Sequence, residues 1–338
     1  MGLKGEYEMK KIMSLMLTLM VCLTSLFGCS SAPGEDSTGD LTKVKVSEFR
    51  SLGWYPVYVA YEKGYFKEEG LDIEFVKYND GPVAFQGMHA GDSDFCLLSQ
   101  EPVLRAQEEG MESAIVGKVQ DTRGYVLVTG KDYKKVSDLK GQTIFAGQPG
   151  SAPYSFVSKI LRENGIDPQK DVTFANLDYG SSVAALEKGD IAATYVNSFN
   201  KANIKDQDVN YLVDTTNKED SKKYLNSTDF PGEIIATTKA FADENPDIVK
   251  KFMTAVEKAA KWSSEQTDEE VAKCLSPLFE GIELDALTEQ VAILKTIIAK
   301  DCYISEEGEK AVMQFCIDGG IIKKELNYND IVNMSAFE

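Results

Sequence analysis

Six aromatic residues, Trp54, Tyr55, Tyr154, Tyr179, Tyr195 and Phe199, stand in or beside stretches that also carry Ser51, Ser99, Gln100, Glu101, Ser151, Ser181 and Asn197. Aromatic faces with a few directional polar groups suit a small organic ligand, above all a planar one. Trp54 and Glu101 are the sharpest pair, a stacking face and an acceptor. Chemistry on that ligand has less support. The chain has no Gly-x-Ser-x-Gly, no GxGxxG after a strand and no Walker loop. His89 is its only histidine, so a Ser-His-Asp triad, a histidine metal site or a histidine proton shuttle would rest on that residue alone. His89 falls near a helix end just before Gly91, where a partly exposed or capping role is expected. Cys96, Cys274, Cys302 and Cys316 show no Cys-x-x-Cys spacing, which leaves a zinc or thioredoxin-like site without support. Cys96 reads as a small core residue, and whether Cys302 and Cys316 pair stays open. Binding without catalysis, cofactor or metal is the expectation, although composition does not exclude carboxylate mechanisms.

These residues need a frame, and its clearest piece is residues 71–102. That stretch reads as strand, turn, helix, turn, strand and the start of another helix. The strand 95–99 is nearly all apolar, as a strand covered on both faces is, and a helical crossover implies that the two strands run parallel. The unit recurs. Gly91-Asp92 and Gly189-Asp190 each end a helix and precede a strand, with Gly placed for φ > 0 and Asp able to bond amides of the turn. Two similar α/β lobes with a cleft between them follow. Pro56, Pro82 and Pro102 each stand just inside a helix that follows a strand. Three helix starts should therefore collect on the strand edge where open α/β sheets bind ligands. The first lobe is expected over 42–130 and 237–338, the second over 131–236, with crossings near 129–131 and 233–237. From Pro246 onward, apolar spacing of three and four predicts helices packed on the first lobe.

At the N-terminus, Met9-Lys10-Lys11 and the apolar run 12–27 read as a signal peptide over 1–28, with residues before Met9 an upstream extension. Leu26-Phe27-Gly28-Cys29 resembles the lipobox of bacterial lipoproteins, which makes Cys29 the lipidated residue and 29–41 a tether to the membrane. The 54 acidic residues against 36 basic ones give a net charge of −18, and Arg50, Arg105, Arg123 and Arg162 are the only arginines. Nucleic acid is thereby disfavoured as a partner.

The run Trp54-Tyr55-Pro56-Val57-Tyr58-Val59-Ala60-Tyr61-Glu62-Lys63-Gly64-Tyr65-Phe66 resembles the opening of solute-binding proteins of ABC importers, in the nitrate/sulfonate/taurine and thiamine-pyrimidine-precursor (NMT1/THI5-like) group. Gly91-Asp92-Ser93-Asp94-Phe95 resembles that group's turn into a strand, and residues 136–144 resemble its entry to the second lobe. The resemblance implies a type II periplasmic-binding-protein fold, a monomer that closes on its ligand, and delivery to a membrane permease with its ATPase. It also implies contacts at Ser51, Gly53, Trp54 and Tyr55, at Ser99, Gln100 and Glu101, and at Gly150, Ser151 and Tyr154. Pro153 removes an amide donor at the last of these places. A sulfonate or other oxyanion would need helix amides with Arg123 or Arg50, whereas a pyrimidine would need stacking with Glu101 or a Gln. Aromatic richness and scarce arginine favour the heterocycle. The alternatives of another class are a ligand sensor and an enzyme like the fungal pyrimidine-precursor synthases, whose cysteine-rich motif and histidine have no match here.

Overall fold

Among the residues described by the computed structural model, 41–149, 151–204 and 208–338, ten strands form two five-stranded sheets. The expected signal peptide, Cys29, Gly150 and the tether up to residue 40 lie outside the described residues. The first sheet has the order β2 (Leu71–Lys77), β1 (Thr42–Glu48), β3 (Phe95–Ser99), β10 (Glu233–Thr238), β4 (Ser113–Lys118). The second has β7 (Thr173–Phe174), β6 (Thr143–Phe145), β8 (Ala193–Asn197), β5 (Tyr125–Gly130), β9 (Val209–Asp214). The two orders are the same pattern. In each sheet four strands run in one direction and one, β10 or β5, runs against its two neighbours, and β10–β4 and β5–β9 both shift register part-way along.

The repeat read from the two Gly-Asp turns is thus present in the topology. Gly91 and Gly189 take φ of 87° and 76°, which a side chain would strain. Asp92 differs from expectation: its carboxylate accepts from the Tyr78 hydroxyl at 2.9 Å, while the turn is closed by its own amide donating to Gly87. Pro56 and Pro82 stand in the first turns of the helices Tyr55–Glu62 and Gly81–His89; Pro102 is the third residue of Gln100–Glu108.

The lobe limits expected from sequence need correction. β5 lies in the second sheet although it was assigned to the first lobe, and most of β10 lies in the opposite lobe to the one expected. Each is an apolar strand whose burial is local but whose partners are distant. The chain passes between sheets at residues 119–124 and 230–232, not at 129–131 and 233–237. These passages run side by side, with the Phe230 amide donating to Asp121 at 2.9 Å and the Gly232 amide to Gln120 at 3.2 Å. A third segment joins them: the Asp121 amide donates to Ile297 and the Ala299 amide to Val119.

The C-terminal helices also depart from a seat on the first lobe alone. Pro246–Glu265 and Asp268–Leu275 pack against Tyr55–Glu62, as expected. Leu284–Lys295 packs on the turn Ser198–Asn203 of the second lobe, and Glu306–Gly319 on its helix Ala152–Glu163, where Lys159 meets Asp318 at 2.7 Å. One apolar cluster accordingly contains Leu98 and Ile234 of the first sheet, Leu127 and Tyr195 of the second, and Phe315. Cys302 and Cys316 are free thiols in different clusters.

Candidate functional site

A cavity of about 720 Å³ opens between the sheets, within the range of small-molecule sites. The loop after β1 supplies Phe49, Arg50, Ser51, Leu52 and Trp54. Asp80 to Pro82 come from a helix start, and Ser99 from the end of β3. Across the cleft stand Tyr125, Ser151, Tyr179, Tyr195, Asn197 and Phe199, and Phe279 and Gln290 come from the C-terminal segment. Strand ends and the loops after them therefore build the site, as expected for this kind of sheet.

Of the residues singled out by sequence, the structure brings Ser51, Trp54, Ser99, Ser151, Tyr179 and Asn197 to this cavity, with Tyr195 and Phe199. Trp54 is 1% exposed, packs edge-on against Phe49 at 4.8 Å, and its indole Nε1 has no hydrogen-bond partner. Ser51 and Ser151 are occupied as caps, accepting from the amides of Gly53 and Tyr154 at 3.3 and 3.4 Å. Asn197 accepts from the Tyr195 hydroxyl at 2.5 Å.

Other expected contacts lie off the cavity wall. Tyr55 is core, and Tyr154 leans on Phe174 at 4.7 Å. The Gly53 carbonyl accepts from Gln120 at 3.0 Å, and Gln100 is buried with its amide toward the Pro231 carbonyl at 3.4 Å. Glu101 and Arg123, both 0% exposed, face each other in a bidentate ion pair, and Arg123 also donates to the Gly232 carbonyl at 3.0 Å. Glu101 therefore has its acceptors engaged by a cation at the lobe crossing, because the first turn of its helix directs it beneath the site.

The carboxyl that does line the cavity is Glu233, the first residue of β10. It is 9% exposed, its Oε2 has no partner, and burial pushes its pKa up to about 8, with Arg123 opposing that rise and Glu101 adding to it. Sequence reasoning passed over it as part of a crossing strand. The signal was a lone charge opening the apolar run Glu233-Ile234-Ile235-Ala236. Tyr125, also missed, faces Tyr195 edge-on at 4.8 Å, and burial raises both hydroxyls well above the usual tyrosine range.

Charge around the cavity is mainly acidic. Among the described residues, Asp80, Glu187 and Glu233 line it with one cation, Arg50, which is held by Glu48 at 2.5 Å. Helix starts that could receive an anion are already served: Asp80 accepts from the Val83 amide at 2.9 Å and Asp178 from the Ser181 amide at 2.7 Å.

Two lobes of one topology with an aromatic cleft between them form the two-lobe α/β fold of the periplasmic-binding-protein type. The NMT1/THI5-like family profile matches residues 53–270, more than half of the 338-residue chain, and the chain belongs to that family. It is a substrate-binding protein of the ABC-importer kind. A Bacillus subtilis (strain 168) protein named for aliphatic-sulfonate binding is 27% identical over 335 residues, 94% of either chain. The formylaminopyrimidine-binding protein of Halalkalibacterium halodurans is 24% identical over 296 residues, covering 82% of this chain and 84% of its own. In fold, the alkanesulfonate-binding protein SsuA of Xanthomonas axonopodis pv. citri, solved with MOPS, superposes with a TM-score of 0.70 at 18% identity, over 88% of this chain and 99% of its own.

Proposed function

We propose that this chain is the extracytoplasmic capture component of an importer, anchored by lipid on Cys29, acting as a monomer and passing its ligand to a permease and ATPase. Its ligand is a planar heterocycle with an exocyclic amine, of the kind found in thiamine-precursor pyrimidines. Glu233 carries this reading. A carboxyl with a pKa of about 8 retains its proton at neutral pH, so it offers an O–H to a ring nitrogen while its carbonyl oxygen accepts from the neighbouring amine. Trp54, Tyr125, Tyr179 and Tyr195 supply faces and edges for the ring. A sulfonate, by contrast, would enter a cleft lined by the carboxyls of Asp80 and Glu187, an arginine already paired, and helix starts already capped.

Mass spectrometry of ligand released from the purified protein identifies the class directly. Calorimetry with an aminopyrimidine and with taurine then tests the role of Glu233. Glu233→Gln keeps one donor and one acceptor, so aminopyrimidine affinity should stay within about threefold. Glu233→Leu should lose two hydrogen bonds, roughly 2–3 kcal/mol or thirty- to over a hundredfold. Taurine binding that tightens in both variants would replace the heterocycle by an oxyanion. Retention of the Cys29→Ser protein in the membrane fraction would overturn the anchor.

A further inference from the structure

A second tie between the lobes lies away from the cavity, on the helix Glu306–Gly319. Both flanks of that helix are fastened to the first lobe by backbone groups. The Lys118 amide of β4 donates to the Cys302 carbonyl at 2.9 Å, the Asn333 amide to Ile115 of β4 at 2.9 Å, and the Lys323 amide to the Glu108 carboxylate at 2.7 Å. The last turn of the helix is fastened to the second lobe by side chains instead. Lys159, 3% exposed on the helix Ala152–Glu163, donates to Asp318 at 2.7 Å and to the Asn226 side-chain carbonyl at 2.9 Å. Arg162 donates to the Asp318 and Gly319 carbonyls, both at 3.3 Å. Among the described residues, Asn226 is the only one besides glycines with a left-handed backbone, φ 67°, and its amide group holds both partners of the ion pair.

This contact is on the far side of the crossings from the cavity. Lys159, Asn226 and Asp318 do not line the cavity, although Ser151 at the head of the Lys159 helix does. Stacked groups mark the depth between. Tyr125 stands on the cavity wall, the Arg123 guanidinium lies 5.0 Å from its ring and 5.0 Å from that of Phe230, Phe230 meets Phe315 edge-on at 5.5 Å, and the Lys159 ammonium is 5.7 Å from the Phe315 ring. When two lobes bend about their connecting strands, surfaces on the cleft side approach and those on the opposite side part. With its flanks held to the first lobe by backbone, the helix Glu306–Gly319 has its side-chain contact with Lys159 as the part that gives.

We propose that Lys159, Asp318 and Asn226 form a latch behind the crossings that holds the cleft open and parts when it closes. The latch sets affinity without touching the ligand. Closing on any ligand includes the cost of parting it, so a weaker latch leaves more of the protein in the closed, binding-competent form. The inference is independent of which ligand chemistry the cavity selects.

The same contact offers a lock. A Cβ on Gly319 would lie 3.6 Å from that of Ser155, within disulfide reach, so a Ser155→Cys, Gly319→Cys protein oxidised with glutathione disulfide can tie the two helices together. Calorimetry uses 4-aminopyrimidine and taurine, whichever the wild type binds. The crosslinked protein should bind that probe about tenfold or more weakly than its reduced form, whereas the wild type and each single variant should show no redox effect. Asp318→Asn should bind it about threefold or more tighter than wild type. A Lys159→Met, Asp318→Asn double variant removes both charges of the pair, and its melting temperature verifies folding. Its radius of gyration without ligand, from small-angle scattering, should fall below that of the wild type. Equal affinity of the crosslinked and reduced forms, or an Asp318→Asn protein that binds no tighter, overturns the latch. If neither probe binds the wild type, the ring reading falls and scattering decides alone: a smaller double variant supports the latch, and an unchanged one overturns it.

Discussion

Glu233 should make the unliganded protein lose stability as pH rises, and Glu233→Gln should remove that loss. Burial raises its pKa from 4.5 to about 8, so the folded state holds a proton that the unfolded chain releases near 4.5. With a folded value above the unfolded one, its stabilising share is complete below about pH 4.5, shrinks as pH rises, and is gone above about pH 8. The gap of 8 − 4.5 = 3.5 pH units, at about 1.4 kcal/mol each, sets an upper bound near 5 kcal/mol. Water in a cavity of about 720 Å³ solvates the carboxylate, which brings the expected value to roughly 2–4 kcal/mol. Glutamine does not titrate, and other groups are common to both proteins. Urea melts at pH 5, 7 and 9 at one ionic strength should therefore show the variant gaining that much relative to wild type between pH 5 and 9. A difference that is flat with pH, or that moves toward the wild type, would refute the buried acid.

Glu101→Gln strands Arg123 in a fully buried pair and should cost about 3–5 kcal/mol in urea melts; a neutral result would mean the pair is not buried. Trp54→Phe deletes an indole N–H without a partner and also shrinks a buried side chain, so besides a modest loss of unliganded stability the ligand affinity should drop severalfold, about 1 kcal/mol; unchanged affinity would put Nε1 away from the ligand. Gly232→Ala would bring a Cβ within 2.8 Å of the Thr122 carbonyl, and it should lower stability by about 1–3 kcal/mol, measured the same way. Small-angle scattering at saturating ligand should show a smaller radius of gyration, and no change would count against closure of the cleft.

Much of the frame was legible because it is local. A short apolar run such as Phe95-Cys96-Leu97-Leu98, bounded by turns, fits a strand covered on both faces, and prolines with Gly-Asp turns mark where helices start and stop. The partners of β5 and β10 were not legible, since an apolar strand states that it is covered and not by which neighbour. The same limit governed the site. Sequence placed Glu101 and Trp54 on two loops of one edge, yet it could not give side-chain direction, and Arg123, twenty-two residues along, draws Glu101 away from the cavity. Ser51, Trp54, Ser99 and Ser151 do reach the cavity wall, because caps and loop residues sit where the strand edge is. Glu233 and Tyr125 were missed because both open strands that reading along the chain takes for plain crossings.

That last misreading bears on how the molecule works. Tyr125 and Glu233 are the first residues of the two strands that follow the lobe crossings, and both line the cavity. Between them Arg123 ties one crossing to the other through the Gly232 carbonyl and to the first lobe through Glu101, while its guanidinium lies 5.0 Å from the ring of Tyr125. On the proposed reading, a ligand that orients Glu233 and Tyr125 would act directly on the two crossings, without an intermediate chain of contacts. A hinge at 129–131, as the sequence suggests, would have put the bend well inside a sheet and away from the ligand. With the crossings at 119–124 and 230–232, the proposed site and the proposed hinge would share residues, and a substitution at Glu233 should alter affinity and the compaction on binding together.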